Sequence, residues 1–385
     1  MAMMSTSMAA SSGSDDLTVI INGKSYGGWQ AVRVSRGAER VPASFDISAT
    51  ERYPGQLSQV AIEAGNPCQI KIGADLVLTG YVDRVAPTLS PTSHDLRIQG
   101  RSKLEDIVDC SVTSQHIAGM QYVGGSLVDL ATKICSPFDI PVRSLTGDQV
   151  MMLLPGGLGP APINVILGET GYEVIERVAR YVQVLVYEDV DGTLLLARAG
   201  AGGAMGSGFS QGVNVQSASG VTSMDQRYSD YLPAILSYQL FDQGPGPALG
   251  DFKDAGVPRY RPLYVVSEQF GYGQSMAVLR AKWEMARRYG RSQAVRLVTD
   301  SWRDTNGKLW TPNNTVPTLS IPALKLAPTK PWVIAEVTYS RDAEGGTTAE
   351  LELMPPEAFT QEPIILMPFG WYAATGNVPA GGAAP

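Results

Sequence analysis

Hydrophobic and polar residues alternate with a period of two over several short stretches of the first hundred residues. Such alternation predicts strands with one buried face, and it is clear at Leu17–Ile21, 32–35 and 45–48. Asn22 and Gly23 form a strong hairpin signal between two of these stretches. Further strands are predicted at 67–72, 76–85 and 95–99. We therefore expect residues 17–100 to form a small antiparallel β-barrel or sandwich.

The spacing of apolar residues changes to that of helices between residues 101 and 199. Ser126 and Asp129 form a variant of the capping box ahead of one apolar face, and Pro137 is expected to end that helix. Thr170 and Glu173 form a cleaner capping box ahead of a second helix. Strands are predicted at 183–187 and 193–197, on either side of an Asp-Gly turn. Residues 101–199 are thus predicted to be an α/β domain inserted after the first barrel.

The rest of the chain begins with a glycine-rich stretch and then returns to strand spacing. Residues 200–208 predict a flexible linker, extending to about 212. Strands are predicted at Val213, Val215, 234–240, 294–301 and 332–339, and after a turn at Gly345 and Gly346. A loop and a helix are predicted within 241–290, the helix ending at Gly290 as its C-cap. Residues 213–360 are therefore predicted to form a second β-barrel, with 361–385 as a C-terminal tail.

Composition narrows the class of protein. The 385 residues are too many for one compact core and indicate roughly two to four domains. A net charge of −7 argues against nucleic acid or an anionic membrane as the main partner, and no apolar run approaches the length of a membrane span. Three cysteines without CxxC spacing fit a reducing cytoplasm. Residues 1–16 are expected to be a disordered leader rather than a secretion signal, since no basic region precedes their apolar residues.

Candidate catalytic and cofactor motifs are weak. The stretch 208–212 matches GxSxG, but His94 and His116 both precede Ser210, which is the wrong order for an α/β-hydrolase triad. The glycines of 200–208 match neither GxGxxG nor a P-loop, and two histidines without paired cysteines provide no metal motif. We therefore predict no catalytic residue, no cofactor and no metal. A carboxylate pair for glycoside cleavage stays open, because acidic residues are plentiful.

Basic residues cluster on the predicted helix near residue 280. The residues concerned are Arg280, Lys282, Arg287, Arg288 and Arg291. They are placed to meet an acidic partner or DNA. The favoured interpretation is structural, because cations near a helix C-terminus complement its dipole and long basic stems cover apolar surface.

The stretch 32–59 contains the residues that carry a family resemblance, namely Ser35, Arg36, Glu39, Arg40, Ala43, Ser44, Phe45, Arg52, Tyr53 and Pro54. Residues 36–39 are predicted to be a turn within it. This segment resembles the opening of Mu-type hub proteins from contractile phage tail baseplates. The later part resembles the same family in its helix at 279–288, in Gly307, Trp310, Pro312 and Asn314, and in its closing strands. The resemblance covers most of residues 17–360 and extends to the hub part of type VI secretion spike proteins.

The resemblance implies a fold and an assembly. The expected fold is mostly β with α+β insertions, with two similar small barrels and α/β domains in each chain. Three chains would form a pseudo-hexameric ring between the tail tube and the central spike, which would close otherwise exposed sheet edges. Other implied partners are a tube-terminating adaptor and other baseplate proteins. The expected location is the virion tail baseplate, assembled in the bacterial cytoplasm.

The predicted function is structural, with alternatives from other classes. A tail-associated enzyme that degrades the cell envelope is the first alternative, and a tube or adaptor protein is the second. The tail residues Phe369, Trp371 and Tyr372 are candidate contacts to the spike or to a neighbouring subunit, because aromatic side chains anchor interfaces. A loosely packed terminus is the other interpretation of these residues.

Overall fold

The structure is a computed structural model that describes residues 15–50, 62–91, 94–146, 162–236, 250–268, 273–326 and 331–364. The described residues form a mostly β protein with four α-helices. None of these helices is long and apolar enough to cross a membrane.

The first block contains seven antiparallel strands. They are β1 (Leu17–Ile21), β2 (Lys24–Tyr26), β3 (Ala31–Gly37), β4 (Ser44–Thr50), β5 (Pro67–Ile72), β6 (Asp75–Leu89) and β7 (His94–Ser102). The predicted strands and the Asn22–Gly23 turn are confirmed. The turn predicted at 36–39 begins later than expected, because Arg36 and Gly37 still pair with another strand.

The middle block combines three helices with short strands. Its elements are α1 (Glu105–Asp109), β8 (Gln121–Tyr122), α2 (Leu127–Cys135), β9 (Val142–Ser144), β10 (Ile163–Asn164), α3 (Gly171–Val182), β11 (Leu185–Glu188) and β12 (Leu194–Ala197). The capping box at Thr170 and Glu173 is confirmed, with both reciprocal hydrogen bonds formed. Ser126 caps α2 by accepting from the Val128 amide at 3.1 Å. Helices α2 and α3 pack on one apolar core with β11 and β12.

The last block contains a long helix and three sets of strands. Its elements are β13 (Phe209–Ser210), β14 (Ser217–Thr222), β15 (Asp230–Leu236), β16 (Phe252–Lys253), β17 (Pro262–Glu268), α4 (Gly273–Arg291), β18 (Gln293–Thr299), β19 (Thr315–Val316), β20 (Leu319–Ser320), β21 (Trp332–Asp342) and β22 (Gly346–Met354). The strand predicted at Val213 is wrong, since Val213 lies exposed in the turn between β13 and β14.

Gly290 does not end α4 as a C-cap. The helix continues through it to Arg291. A Cβ at Gly290 would lie 2.6 Å from the Ala358 Cα, so the missing side chain lets the chain near residue 358 approach the helix backbone. The glycine therefore serves packing between two segments that are distant in sequence.

Strands from the first and last blocks form one continuous sheet. Its order is β14-β18-β22-β21-β3-β4-β7-β6-β5-β1-β2, with β19 added on β21, and the antiparallel β3–β21 pair joins the two blocks. Inward residues from both blocks, such as Val19, Ile47, Leu297 and Tyr339, share one hydrophobic core. Two separate barrels are thus not confirmed, because the described strands share one sheet and one core.

The glycine-rich segment after residue 200 is packed rather than free-standing. The Gly200 amide donates to Asn313 Oδ1 at 2.7 Å, and the Met205 amide donates to the Thr315 carbonyl at 2.9 Å. Met205 and Phe209 are buried in the shared core. The expected flexible linker is therefore held along the last block, while the domain boundaries near 100, 200 and 360 stay predictions.

Candidate functional site at the joint between the blocks

The first and last blocks meet at the β3–β21 pair. Ser35 lies directly opposite Thr338, and their hydroxyl oxygens are 2.8 Å apart in the buried interior of the pair. In the segment between β3 and β4, Arg40 donates to Glu336 Oε1 at 2.6 Å and to Ser44 Oγ at 2.9 Å. Backbone pairing and side-chain hydrogen bonds therefore join the first and last blocks along the same line of contact, called here the seam.

The middle block is attached at the same seam through Glu188 at the end of β11. The Ala43 amide donates to Glu188 Oε1 at 2.6 Å, and Arg36 donates to the Glu188 carbonyl oxygen at 3.4 Å. Arg36 and Glu188 are both buried. Burial raises the pKa of the Glu188 carboxyl above its usual value, while the nearby positive charge of Arg36 opposes that shift.

Helix α4 reaches the joint through Glu39. Arg287 donates to Glu39 Oε1 at 3.3 Å, and Arg291 also pairs with this carboxylate. Six of the residues that carry the family resemblance thus cluster where the β blocks, β11 and α4 meet, while Phe45 lies in the shared hydrophobic core. Arg52, Tyr53 and Pro54 lie outside the described residues.

Helix α4 also binds the chain segment 357–362, here called the C-terminal strap. Arg291 donates to the Ala358 carbonyl at 3.3 Å, Arg287 and Trp283 donate to the Thr360 carbonyl at 2.8 and 2.9 Å, and Arg280 pairs with Glu362 at 3.0 Å. Arg288 pairs with Glu284, and Lys282 lies over the Phe252 ring. All five basic side chains therefore contact other groups of the same chain, as the structural interpretation expects.

Asn313 forms a second connection between the last and middle blocks. Its side-chain amide donates to the Tyr187 hydroxyl at 3.1 Å and to the Arg198 carbonyl at 3.0 Å, and its oxygen accepts from the Gly200 amide. Asn313 is fully buried and has a positive φ of 62°. Nearby Trp310, also buried, donates to the Ser301 carbonyl at 3.0 Å.

Sequence reasoning missed Glu188 and Asn313. Both are buried polar residues whose partners lie more than a hundred positions away. The available signal for Glu188 was an acidic residue that ends the apolar strand LVYE. The signal for Asn313 was its place beside Asn314 in the segment that carried the late resemblance.

The local structure around the candidate nucleophile Ser210 differs from a nucleophile elbow. Ser210 lies in the two-residue strand β13, paired in parallel with β20, and a turn follows it where a nucleophile elbow needs a helix. His116 is in the middle block beside Thr113, and His94 is the first residue of β7. Among the described residues no group of three or more histidine, cysteine or acidic side chains could hold a metal ion.

One acidic pair lies between the first and middle blocks. Arg101 Nε is 2.7 Å from Asp83 Oδ2 and 3.1 Å from Glu105 Oε2, and Arg101 also binds Asp109 at 2.7 Å. Because the single Nε–H donates to Asp83, the Glu105 oxygen has a nearby charge but no hydrogen bond from Arg101. Burial first, and the negative charge of Asp83 second, raise the pKa of Glu105 to about 8.

The predicted contact residues Phe369, Trp371 and Tyr372 lie outside the described residues, which end at Ile364. Their role stays a prediction. The described site is therefore a structural joint, in which buried hydrogen bonds and partly exposed ion pairs hold three blocks and one helix together.

Family models match three segments of the chain. Residues 16–102 match the N-terminal domain of Mu phage baseplate assembly protein GpP-like, residues 105–198 match the second domain of baseplate hub protein gp44-like, and residues 273–362 match the fourth domain of GpP. The chain belongs to the Mu-type baseplate hub family. A relative in this family, baseplate hub protein gp44 of Escherichia phage Mu, is 26% identical over 90% of this chain and 89% of its own length.

Solved structures agree with this membership. The 43 kDa tail protein of prophage MuSo2 from Shewanella oneidensis is 28% identical, with a TM-score of 0.75 over 91% of this hub chain and 100% of its own. A tail protein from Neisseria meningitidis MC58 is 19% identical, with a TM-score of 0.65 over 90% of this chain and 98% of its own. A type VI secretion component of Escherichia coli shares the fold at 10% identity, with a TM-score of 0.54 over 91% and 80% of the two chains.

Proposed function

We propose that this hub protein forms a homotrimeric, pseudo-hexameric ring that connects the tail tube to the central spike. The observation that carries the proposal is the β3–β21 pair, which joins two β blocks of one chain into a single unit. Three such chains supply six β blocks. A threefold ring of this kind presents nearly sixfold symmetry to a tube and threefold symmetry to a spike.

The joint supports this function because a connector must transmit force without opening. Glu188, Arg36 and Ser35 are buried there, and each has a partner from another block. Opening the seam would break buried hydrogen bonds, each worth about 1 kcal/mol, and would expose the shared apolar core to water. The two blocks of each chain therefore move together under load.

The free edges of the main sheet support association between chains. β2, at one end, has only three residues and carries Lys24, features that discourage pairing. β14, at the other end, has the uncharged sequence SASGVT, and most of it is exposed. An uncharged six-residue edge strand is a site where a second chain can pair.

Absolute mass by light scattering on a sizing column tests the ring. We expect three times 41.1 kDa, persisting on dilution, as large obligate interfaces of over about 2,000 Å² require. Charging the β14 edge with Val221→Lys should lower the mass toward one chain, while Val213→Lys, in the exposed turn that precedes β14, is the matched control. A stable monomer in the presence of spike and tube proteins would refute the ring.

The same proposal assigns no catalytic activity to the chain, and it places the assembled ring in the baseplate after assembly in the host cytoplasm. The direct test is cleavage of purified peptidoglycan by the trimer. The envelope-degrading alternative would be favoured if the parent protein cleaves peptidoglycan faster than buffer alone and if Ser210→Ala or Glu105→Gln removes that cleavage. If the parent protein and both variants release no more peptidoglycan fragments than buffer alone, the result supports a structural protein.

A further inference from the structure

The three-stranded sheet of the last block has one face packed on α4 and one apolar face that the described residues leave uncovered. β15 and β17 are parallel neighbours, with Leu232 opposite Tyr264 and Ala234 opposite Val266. The other face, with Tyr231 and Val265 buried, packs on Ala281 and Met285 of α4. Parallel pairs are normally covered on both sides.

The uncovered face, called here the open face, consists of Leu232, Ala234, Tyr264 and Val266. The Tyr264 side chain is 63% exposed and Val266 is 42% exposed. Neighbouring strand residues point to opposite faces, so these four form one continuous apolar strip. An exposed strip of this composition indicates a docking site.

The C-terminal strap leads toward this part of the molecule. Its contacts move along α4 from Arg291 at Ala358, through Arg287 and Trp283 at Thr360, to Arg280 at Glu362. The strap thus runs antiparallel to the helix as far as Glu362, seven residues from the helix N-terminus at Gly273 when measured from Arg280. Glu362 also pairs with Arg180 of α3 at 2.7 Å, and Ile364 packs against the core of the middle block. That end of α4 follows β17 with only residues 269–272 between them.

We propose that the apolar stretch 365–372 of this chain turns over that end of α4 and packs on the open face. The stretch reads ILMPFGWY and is the next part of the chain after the strap. Seven extended residues beyond Ile364 reach about 23 Å. This length covers the roughly 10 Å along α4 from Arg280 to Gly273 and the roughly 10 Å thickness of one layer. The first contact of Phe369, Trp371 and Tyr372 is then the chain's own sheet rather than the spike.

The chemistry of the two surfaces is complementary. Both are apolar and aromatic, and the stretch 365–372 has no charged residue. Contact with its own sheet has a high effective concentration, on the order of millimolar for a short tether. A tail held by the same chain therefore outcompetes an untethered partner at ordinary concentrations.

Cross-linking in the full-length protein tests the proposal. In a Cys110→Ser background, with Cys68 and Cys135 buried, we pair Trp371→Cys with Val266→Cys. The matched control pairs Trp371→Cys with Val221→Cys on β14, which is also exposed. Val221 is opposite Ala294, beyond the other end of α4, roughly 28 Å from the helix N-terminus.

With a bismaleimide of about 10 Å, we expect the pair Trp371→Cys and Val266→Cys to cross-link at least about tenfold faster than the control pair. The cross-linked product should have the mass of one chain. Equal rates, or a product with the mass of two chains, would overturn the proposal, because the latter means that a neighbouring chain's tail occupies the face.

Amide hydrogen exchange gives a second measurement. A chain ending at Ile364 should exchange faster at β17 but unchanged at β14, and unchanged exchange at β17 would also refute the proposal.

Discussion

Arg40 and Glu336, 296 positions apart in the chain, are joined by a hydrogen bond of 2.6 Å from Nη1 to Oε1. The bond crosses the seam where β3 pairs with β21. The first and last blocks therefore belong to one structural unit, although the middle block separates them in sequence. Unfolding of these two blocks should be a single cooperative step rather than two.

Glu188→Ala should be strongly destabilising. It removes the acceptor of the Ala43 amide and a carboxyl group that interacts electrostatically with buried Arg36. Leaving a buried charge without compensation costs about 3 kcal/mol. We expect this loss in the free energy of unfolding measured with urea.

Glu188→Gln is the matched control for that change. Its amide oxygen can still accept from the Ala43 amide, so only the charge is lost. The loss in the free energy of unfolding should be smaller for Glu188→Gln than for Glu188→Ala. The difference between the two variants measures how much the hydrogen bond to the Ala43 amide contributes to stability. Equal stability of parent and Glu188→Ala would show that this contact does not hold the blocks together.

Gly100→Ala should also be destabilising, for a steric reason. A Cβ at residue 100 would lie 2.5 Å from the Phe45 ring and would meet the Tyr81 carbonyl oxygen. We expect a loss of about 1–3 kcal/mol, as is usual for overpacking in a core. Gly220→Ala is the control, because its Cβ would meet only Leu324 at 3.5 Å. A loss of the same size in both variants would assign the effect to glycine itself rather than to the contact with Phe45.

Local patterns account for the elements that were predicted well. The alternation in Pro67–Ile72 and the capping box at Thr170 depend on residues close in sequence, and both are confirmed. Gly290 was misassigned because its role depends on Ala358, which no window around the helix contains. Residues that carry the resemblance lie at the joint, but the partner of Ala43 could not be predicted, because Glu188 is 145 positions away and approaches it only after the middle block has packed.

Asn313 should tolerate glycine better than alanine. Its positive φ of 62° is easy for glycine and strained for alanine, while both substitutions remove the bonds to Tyr187, Arg198 and Gly200. We expect Asn313→Ala to lower the free energy of unfolding by about 1 kcal/mol more than Asn313→Gly. Thermal unfolding of both variants checks this order. The reverse order would mean that backbone strain is unimportant at this position.

The pH dependence of stability should change on substitution of Glu105. Burial, followed by the charge of Asp83, raises the pKa of Glu105 to about 8 from an ordinary value of 4.5. Between these values the folded protein holds a proton that the unfolded chain has released, so this group's contribution to stability falls as pH rises from about 4.5 to about 8. Glu105→Gln removes that proton exchange and keeps a side chain of similar size.

We therefore expect the stability of Glu105→Gln relative to the parent protein to increase between pH 5 and pH 8, by roughly 2 kcal/mol after allowance for solvent screening. Urea unfolding at both pH values measures the difference. Asp109→Asn is the control, because Asp109 also pairs with Arg101 but is half exposed. If Glu105→Gln and the parent protein show the same change in stability with pH, Glu105 carries no extra proton and the two carboxyls do not interact across the seam between the first and middle blocks.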